Sequence, residues 1–309
     1  MGEHDDVCVL LPTLNEEATV GEVVTSFHDL GFEEILVIDG GSYDRTRTHA
    51  RDAGANVVRQ RGAGKGQAIR EAILEHIDAP YVLMVDADAT YRAEDAERML
   101  EPLFAREADH VIGNRFADMR EGAMSRFNRI GNRLINWAFG KVHGKSYVDI
   151  LSGYRAFTLE AAQRMSLATD GFGIETEMAV ECVKNEIPVA VVPISYLPRP
   201  DGSSTNLHPL RDGGVIFLEL YRKAKTNNPL FYFASVGIAS TVGGTILAAY
   251  VIYRWVFAGV GHEIIAVAGA GAILLGIQLI MFGVLADMIL ELHREQIAHR
   301  EHIFDSDDP

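Results

Sequence analysis

Tyr81-Val82-Leu83-Met84-Val85-Asp86-Ala87-Asp88 is the stretch on which the reading of this chain turns. Five strand-forming residues, too few for a helix, run straight into two carboxylates separated by one residue. Upstream, Val7 to Leu11, Glu34 to Ile38 and Asn56 to Arg59 are similar short apolar runs. Between them lie helical patterns at Ala18 to Leu30, Arg45 to Ala53 and Lys65 to His76. Strand and helix alternating at this spacing predict βαβ units, and hence an α/β fold with a mostly parallel sheet covered by helices on both faces. Such sheets bind ligands beyond the carboxyl ends of their strands. Three polar clusters fall there: Pro12-Thr13-Leu14-Asn15-Glu16-Glu17, Asp39-Gly40-Gly41-Ser42 and Asp86-Ala87-Asp88. From Ile112 to Leu197 the pattern is less regular, with a helix expected from Ile174 to Asn185, a strand from Val189 to Ile194, and a polar loop from Arg199 to His208.

The 309 residues carry 28 Lys and Arg against 43 Asp and Glu, a formal charge of −15. Nucleic acid is an improbable partner for such a chain, because its binders concentrate positive potential. Only six of the basic residues are Lys, and an acidic, Lys-poor surface suits a cytoplasm rich in salt, where charges are strongly screened. Cys8 and Cys182 lie in distant apolar runs and are expected to pack in the core. Met1 to Asp6 is polar and the following apolar run is short, so no signal peptide is expected. Near the other end, Leu230 to Tyr253 and Ile264 to Ala286 carry no charge, and each exceeds the roughly 20 residues needed to cross a lipid bilayer. Lys and Arg flank this pair on both outer sides, with only Arg254 between the spans, which predicts a hairpin in the cell membrane with both ends cytoplasmic. The expected organisation is therefore a catalytic domain over residues 1–206, an amphipathic juxtamembrane segment over 207–228, the hairpin over 229–290 and an acidic tail over 291–309.

Asp86 and Asp88 close a strand where little backbone is free to neutralise them. Hard oxygen ligands at this spacing suit Mg2+ or Mn2+, which in turn favours a substrate pyrophosphate. A lone Asp-x-Asp is more often a solvated turn. Here Asp39 ends another strand of the same sheet, and Gly62-Ala63-Gly64-Lys65-Gly66 opens a helix, whose N-terminus favours anionic phosphate. The run lacks the spacing of a Walker loop, so ATPase chemistry is not indicated.

The ordered series Leu11-Pro12-Thr13-Leu14-Asn15-Glu16, Val37-Ile38-Asp39-Gly40-Gly41-Ser42, Gly64-Lys65-Gly66, Asp86-Ala87-Asp88, Gly113-Asn114-Arg115 and Asp149-Ile150-Leu151-Ser152-Gly153-Tyr154-Arg155 resembles family 2 glycosyltransferases with the GT-A fold. Within them it is similar to the dolichol-phosphate hexosyltransferases. The resemblance implies a nucleotide sugar donor, with UDP-glucose favoured over GDP-mannose, a dolichol phosphate acceptor, and a place at the first step of lipid-linked oligosaccharide assembly for protein N-glycosylation. It implies that Pro12, Asn15, Glu16 and Asp39 line the nucleoside pocket, that Lys65 neutralises the pyrophosphate, and that Asp86 and Asp88 hold the metal. Thr90 stands where relatives carry a Gln that completes the metal shell. Arg115, Arg129 and Arg199 match positions that grip the acceptor phosphate, Asp149 and Arg155 either order the acceptor loop or serve a structural helix-cap role, and Glu175 lies where many family members keep a catalytic acid.

The chemistry makes a general base dispensable. A sugar hydroxyl must lose a proton before it attacks an anomeric carbon, whereas a phosphate monoester, with its second pKa at about 6, arrives as a dianion. Bringing two polyanions together is the harder task, and cations perform it. A single displacement with inversion at the sugar is the expected course. Two rivals remain at this level: an enzyme that makes nucleotide sugars, and a membrane-tethered binder without catalysis. The oligomeric state is open.

Overall fold

Strand β1 (Val7–Thr13) is buried at every position and shows how the core is divided. Val7, Val9 and Leu11 point into one apolar cluster, whereas Cys8 and Leu10 point into another on the opposite face. That two-residue alternation, with both faces buried, is what a central strand of a helix-covered sheet requires. The computed structural model describes residues 4–169, 173–200, 214, 221 and 228–306. The chain folds as two compact units, one of residues 1–140 and 145–217 and a second of 141–144 and 218–309.

In the first unit, β1 is followed by α1 (Val20–Asp29), β2 (Glu34–Asp39), α2 (Thr46–Asp52), β3 (Asn56–Arg59), α3 (Lys65–Glu75), β4 (Tyr81–Met84) and α4 (Ala96–Phe104). Then come β5 (His110–Met119), α5 (Arg126–His143), β6 (Arg155–Thr158), α6 (Leu159–Gln163), α7 (Ile174–Lys184) and β7 (Val189–Tyr196). The seven-stranded sheet has the order β3-β2-β1-β4-β6-β5-β7. The β1–β2, β1–β4, β2–β3 and β5–β7 pairs are parallel. Strand β6 runs antiparallel to both β4 and β5. Chain order reverses across the β1–β4 boundary, so the loops after these two strands open on a switch point of the kind that binds ligands in α/β sheets. Helices α1, α2 and α4 cover one face with Val24, Phe27, Ala50 and Leu100. Helices α3, α6 and α7 cover the other with Ile69, Ile73, Ala161 and Met178.

The expected strands and helices of the first half are present, displaced by two residues or fewer at each end. Met178, Ala179, Cys182 and Cys8 are fully buried, as their apolar surroundings require. The stretch from Ile112 to Leu197 needs correction. It is not irregular, because it holds the ten-residue β5, the 18-residue α5 and the reversed β6. The expected juxtamembrane segment over 207–228 lies outside the described residues apart from Gly214, Tyr221 and Asn228.

Among its described residues the second unit holds a pair of long helices, α8 (Pro229–Ala258) and α9 (Glu263–Ser306). Asn228 caps α8 by accepting the Phe231 N–H at 2.9 Å, Pro229 occupies its first turn, and Gly259 ends it at φ 64°. Residues Pro229–Ala258 and Glu263–Leu290 are long and apolar enough to cross a membrane, and only 11% of each span is buried. A core helix of a soluble domain would be mostly covered. Helix α9 continues past the expected span to Ser306, so residues 291–306 extend the helix. The two helices touch through glycine: a Cβ on Gly244 would lie 2.6 Å from the Gly269 carbonyl oxygen, and one on Gly237 would lie 2.6 Å from that of Gly276. Small residues permit this approach in apolar surroundings. Gly244→Val is expected to destabilise the pair by about 1–3 kcal/mol through forced separation. Unfolding of the reconstituted protein in mixed micelles of rising SDS content measures this, and an unchanged midpoint contradicts it.

Candidate active site

A cleft of ≈ 640 Å³ opens at the carboxyl ends of β1 and β4, lined by Pro12, Glu16, Lys65, Asp86, Asp88, Arg115, Glu175 and Arg199 among others. The loops around it are tied by side chains that mimic backbone. Asp39 is fully buried and accepts the N–H groups of Gly41 and Ser42 at 3.1–3.2 Å. Asn15, at φ 58°, receives the Tyr43 N–H on its side-chain oxygen at 3.1 Å and donates its own N–H to Ser42 at 2.9 Å. The Glu16 N–H donates to Thr46 at 2.8 Å. The Asn15 and Asp39 signatures thus lock the first two strand ends together. Neither side chain is among those lining the cleft, whereas their neighbours Thr13, Leu14, Glu16 and Gly40 are.

Carboxylates crowd the centre, and two cations hold them. Lys65 Nζ lies 2.5 Å from an oxygen of Asp86 and 2.5 Å from one of Glu175. Burial works against its charge, yet Asp86 and Glu175 raise its pKa above the ordinary lysine value. Arg199 donates to Asp88 Oδ2 from Nε at 3.0 Å and from a terminal nitrogen at 2.6 Å, and it lies 3.7 Å from Glu16. The Thr90 hydroxyl and N–H donate to Asp88 Oδ1 at 2.5 and 3.1 Å. Thr90 therefore orients Asp88 in this arrangement. Glu16 has the weakest compensation. Burial pushes its pKa from 4.5 to about 7, Asp88 and Asp86 add to the rise, and Arg199 only partly opposes it.

The acceptor-side residues divide. Arg115 lines the cleft but is 8% exposed, and it grips the fully buried Asp149 through two nitrogens at 2.8 and 2.7 Å. A break in the β5–β7 register between Asn114 and Asp118 falls at this residue, as strand irregularities beside sites often do. The Tyr196 ring lies 5.4 Å from the guanidinium carbon. Arg155 is fully buried against His110 and the Ser152 and Ile150 carbonyls, beneath the loop it was expected to order. Arg129 departs from expectation: it is exposed on α5, contacts the Met119 sulfur, and does not line the cleft.

Several lining residues carried no motif. Gln60 at the end of β3 is 5% exposed, donates to the Gly62 carbonyl, and leaves its side-chain oxygen buried without a partner. The Tyr91 hydroxyl accepts the Gly153 N–H at 3.0 Å. A Cβ on Gly153 would collide with the Asp86 carboxylate, which explains the glycine in the Leu151-Ser152-Gly153 turn. Phe127, Gly131 and Ile135 of α5 form an apolar wall that helical periodicity from Ser125 onward could have disclosed.

Residues 8–162 match the family Glycosyl transferase family 2. The chain belongs to glycosyltransferase family 2, and the fold just described is its GT-A-like α/β sheet. It is 62% identical over 303 residues to glycosyltransferase AglJ of Haloferax volcanii, covering 98% of this chain and 100% of that protein. A dolichyl-phosphate hexose transferase of the same organism is 32% identical over 214 residues, 69% of this chain and 91% of that one. Among solved structures, glucosyl-3-phosphoglycerate synthase of Mycobacterium tuberculosis, crystallised with Mn2+ and UDP-glucose, superposes with a TM-score of 0.56 at 23% identity, over 70% of this chain and 77% of that one. A likeness at that identity bears on the fold.

Two outcomes follow from the geometry. Asp149→Asn leaves Arg115 buried without its counter-charge and is expected to cost about 3–5 kcal/mol. Thermal unfolding in detergent reads this, and a loss below about 1 kcal/mol contradicts it. A carboxyl with a raised folded-state pKa weakens the fold once ionised, so the penalty is absent below 4.5 and complete above about 7. In metal-free buffer, Glu16→Gln is therefore expected to stabilise the protein more at about pH 8 than at about pH 5. A pH-independent difference contradicts the assignment.

Proposed function

We propose that this glycosyltransferase moves one hexose, glucose from UDP-glucose, onto dolichol phosphate with inversion, as the first step of lipid-linked oligosaccharide assembly for protein N-glycosylation. The observation that carries the reading is the cluster at the end of β4, where Asp86 and Asp88 face an open cleft beside Lys65 and Arg199. The name of one Haloferax relative supports a dolichyl-phosphate hexose transferase, and that of the other supports a glycosyltransferase. The helices α8 and α9 support a membrane-held enzyme, with the catalytic unit and both termini assigned to the cytoplasm.

Asp86 and Asp88 fit a hard divalent cation. They offer paired carboxylate oxygens and already sit opposite positive charge. No three His, Cys, Asp or Glu side chains converge as a ready shell among the described residues, so Mg2+ or Mn2+ would share its shell with donor phosphates and water. Bound there, the cation supplies charge to the departing nucleoside diphosphate. Lys65, fixed between Asp86 and Glu175, lies beside the same phosphates and opposes their charge. Glu175 thereby acts by positioning Lys65, and its ion pair argues against a free catalytic acid. Asp88, held by Thr90, is positioned to stabilise positive charge at the anomeric carbon. Gln60 offers its buried oxygen to an N–H of the nucleobase, with Pro12 and Glu16 beside it. Arg199 is the cation assigned to the acceptor phosphate, and Arg115 lends charge from its fixed pair with Asp149.

Incubation of the full chain with dolichol phosphate and labelled UDP-glucose or GDP-mannose tests the reading. Labelled lipid from UDP-glucose, lost in EDTA, is the expected result. Label only from GDP-mannose overturns the donor, undiminished product in chelator overturns the metal, and no lipid product from any donor overturns the acceptor. Asp88→Asn is expected to lower kcat by about 100-fold or more while weakening Mn2+ binding far less. Equal losses in both would reduce Asp88 to a metal ligand.

A further inference from the structure

Helix α9 carries a glutamine where a bilayer is driest. Gln278 stands near the middle of Glu263–Leu290, the 28-residue stretch long and apolar enough to cross a membrane, within about 2 Å of its midpoint at 1.5 Å per residue. Either interface is then about 15 Å away, beyond the reach of a glutamine side chain. The hydroxyls of the pair are satisfied by backbone: Ser240 donates to the Ala272 carbonyl at 2.8 Å, Thr241 to that of Gly237 at 2.9 Å, and Thr245 to that of Thr241 at 2.8 Å. Gln278 is exposed and has no such partner among the described residues. A side-chain amide without a hydrogen bond is costly in hydrocarbon, and polar residues at this depth face another helix. Helix α8 is not that helix. Gly276 abuts α8 at Gly237, and Gln278, two residues on, lies about 200° around the axis from it.

A repeat surrounds the glutamine. Val267, Gly271, Leu274, Gln278, Met281 and Leu285 recur at alternating intervals of four and three, and all six are exposed. That period of 3.5 keeps one seam facing a partner helix. Acyl chains accept any apolar pattern and demand no such repeat. A Cβ on Gly271 would meet nothing within 4 Å, so a second backbone can approach there. We infer that this face of α9 packs against the same face of a second copy of the chain, with the two Gln278 amides hydrogen-bonded to each other. The inference rests on the reading of α8 and α9 as membrane spans. Copies inserted in one membrane share an orientation, so their α9 helices run parallel, and a two-fold axis along the membrane normal sets both glutamines at one depth. An amide is donor and acceptor at once, which lets two identical side chains satisfy one another. One polar residue in an apolar seam also fixes its register, because any slip strands both amides in hydrocarbon.

Cysteine cross-linking in the full chain tests this. Cys8 and Cys182 are buried in the first unit, so an added cysteine reports alone. Protein carrying Leu285→Cys, one heptad beyond Gln278, or Ile246→Cys, exposed on the side of α8 turned from α9, is reconstituted into lipid vesicles at several low densities and oxidised. A disulfide-linked dimer is expected from Leu285→Cys and not from Ile246→Cys. Adding Gln278→Leu to Leu285→Cys is expected to raise the protein density at half-maximal cross-linking by about 3- to 20-fold, the range of interhelical hydrogen bonds in membranes. The change removes a polar group from an apolar span, and circular dichroism verifies that the helices form. Equal yields from the two cysteines reduce the product to random collision, absence of dimer leaves the face to lipid, and an unchanged midpoint with Gln278→Leu removes the amide from the interface. Each of these overturns the proposal. Alkaline extraction of the same vesicles reports separately on the spans: protein retained in lipid without cross-links overturns the pair alone, whereas released protein overturns the spanning reading.

Discussion

Electrostatic repulsion at the carboxyl end of β4 is the constraint around which the catalytic unit is arranged. Asp86, Asp88, Glu16 and Glu175 converge on one cleft, and Lys65 and Arg199 are the cations paired with them. Carboxylates this close and this buried cannot all remain ionised without compensating charge. Burial raises the Glu16 pKa first, and the neighbouring Asp88 and Asp86 add to the rise. An arrangement with more carboxylates than paired cations, and oxygen donors facing the cleft, is suited to a divalent cation. The surrounding loops are tied by side-chain hydrogen bonds. Asp39, Asn15, Thr90 and Asp149 each use their side chains to hold a loop or a charged group in place. A flexible loop would let the carboxylates drift apart into water.

The proposed acceptor accounts for the remaining architecture. A polyprenyl chain is held in the bilayer by about 0.8 kcal/mol for each buried CH₂, so the enzyme must come to the membrane. Two helices long and apolar enough to cross it suffice for an anchor. Charge is divided in the same spirit. An overall excess of acid suits a salty solvent, and the exception is the helix bordering the cleft.

Much of this was legible in the amino-acid order. Val7 to Leu11 and Tyr81 to Val85 are unbroken apolar runs, and only a strand buried on both faces demands that. Asp86-x-Asp88 and the glycines before Lys65 located the end of the sheet where the cleft opens, because each follows a strand or opens a helix. The two long uncharged runs near the C-terminus admit few readings in any protein. Strand β6 escaped notice because Arg155-Ala-Phe-Thr is four residues long with a buried arginine in it, and local pattern does not report strand direction. Helix α5 was legible, because its apolar residues recur at helical spacing from Phe127 onward, but the stretch was read as less regular.

What the sequence by itself determined was the kind of protein: which stretches become strands and helices, which strand ends bear acid, and which segments suit a bilayer. Those properties are written in local periodicity and composition. Partnership was decided by tertiary structure alone. Asp39 and Asn15 tie two strand-end loops together, Gln60 enters the cleft without any motif, and Arg115 and Arg199 part ways by the carboxylates they meet. Residues 34 to 111 positions apart along the chain form these pairs, and no local rule ranks one long-range ion pair over another. Only folding brings the candidates within reach, and desolvation then selects among them.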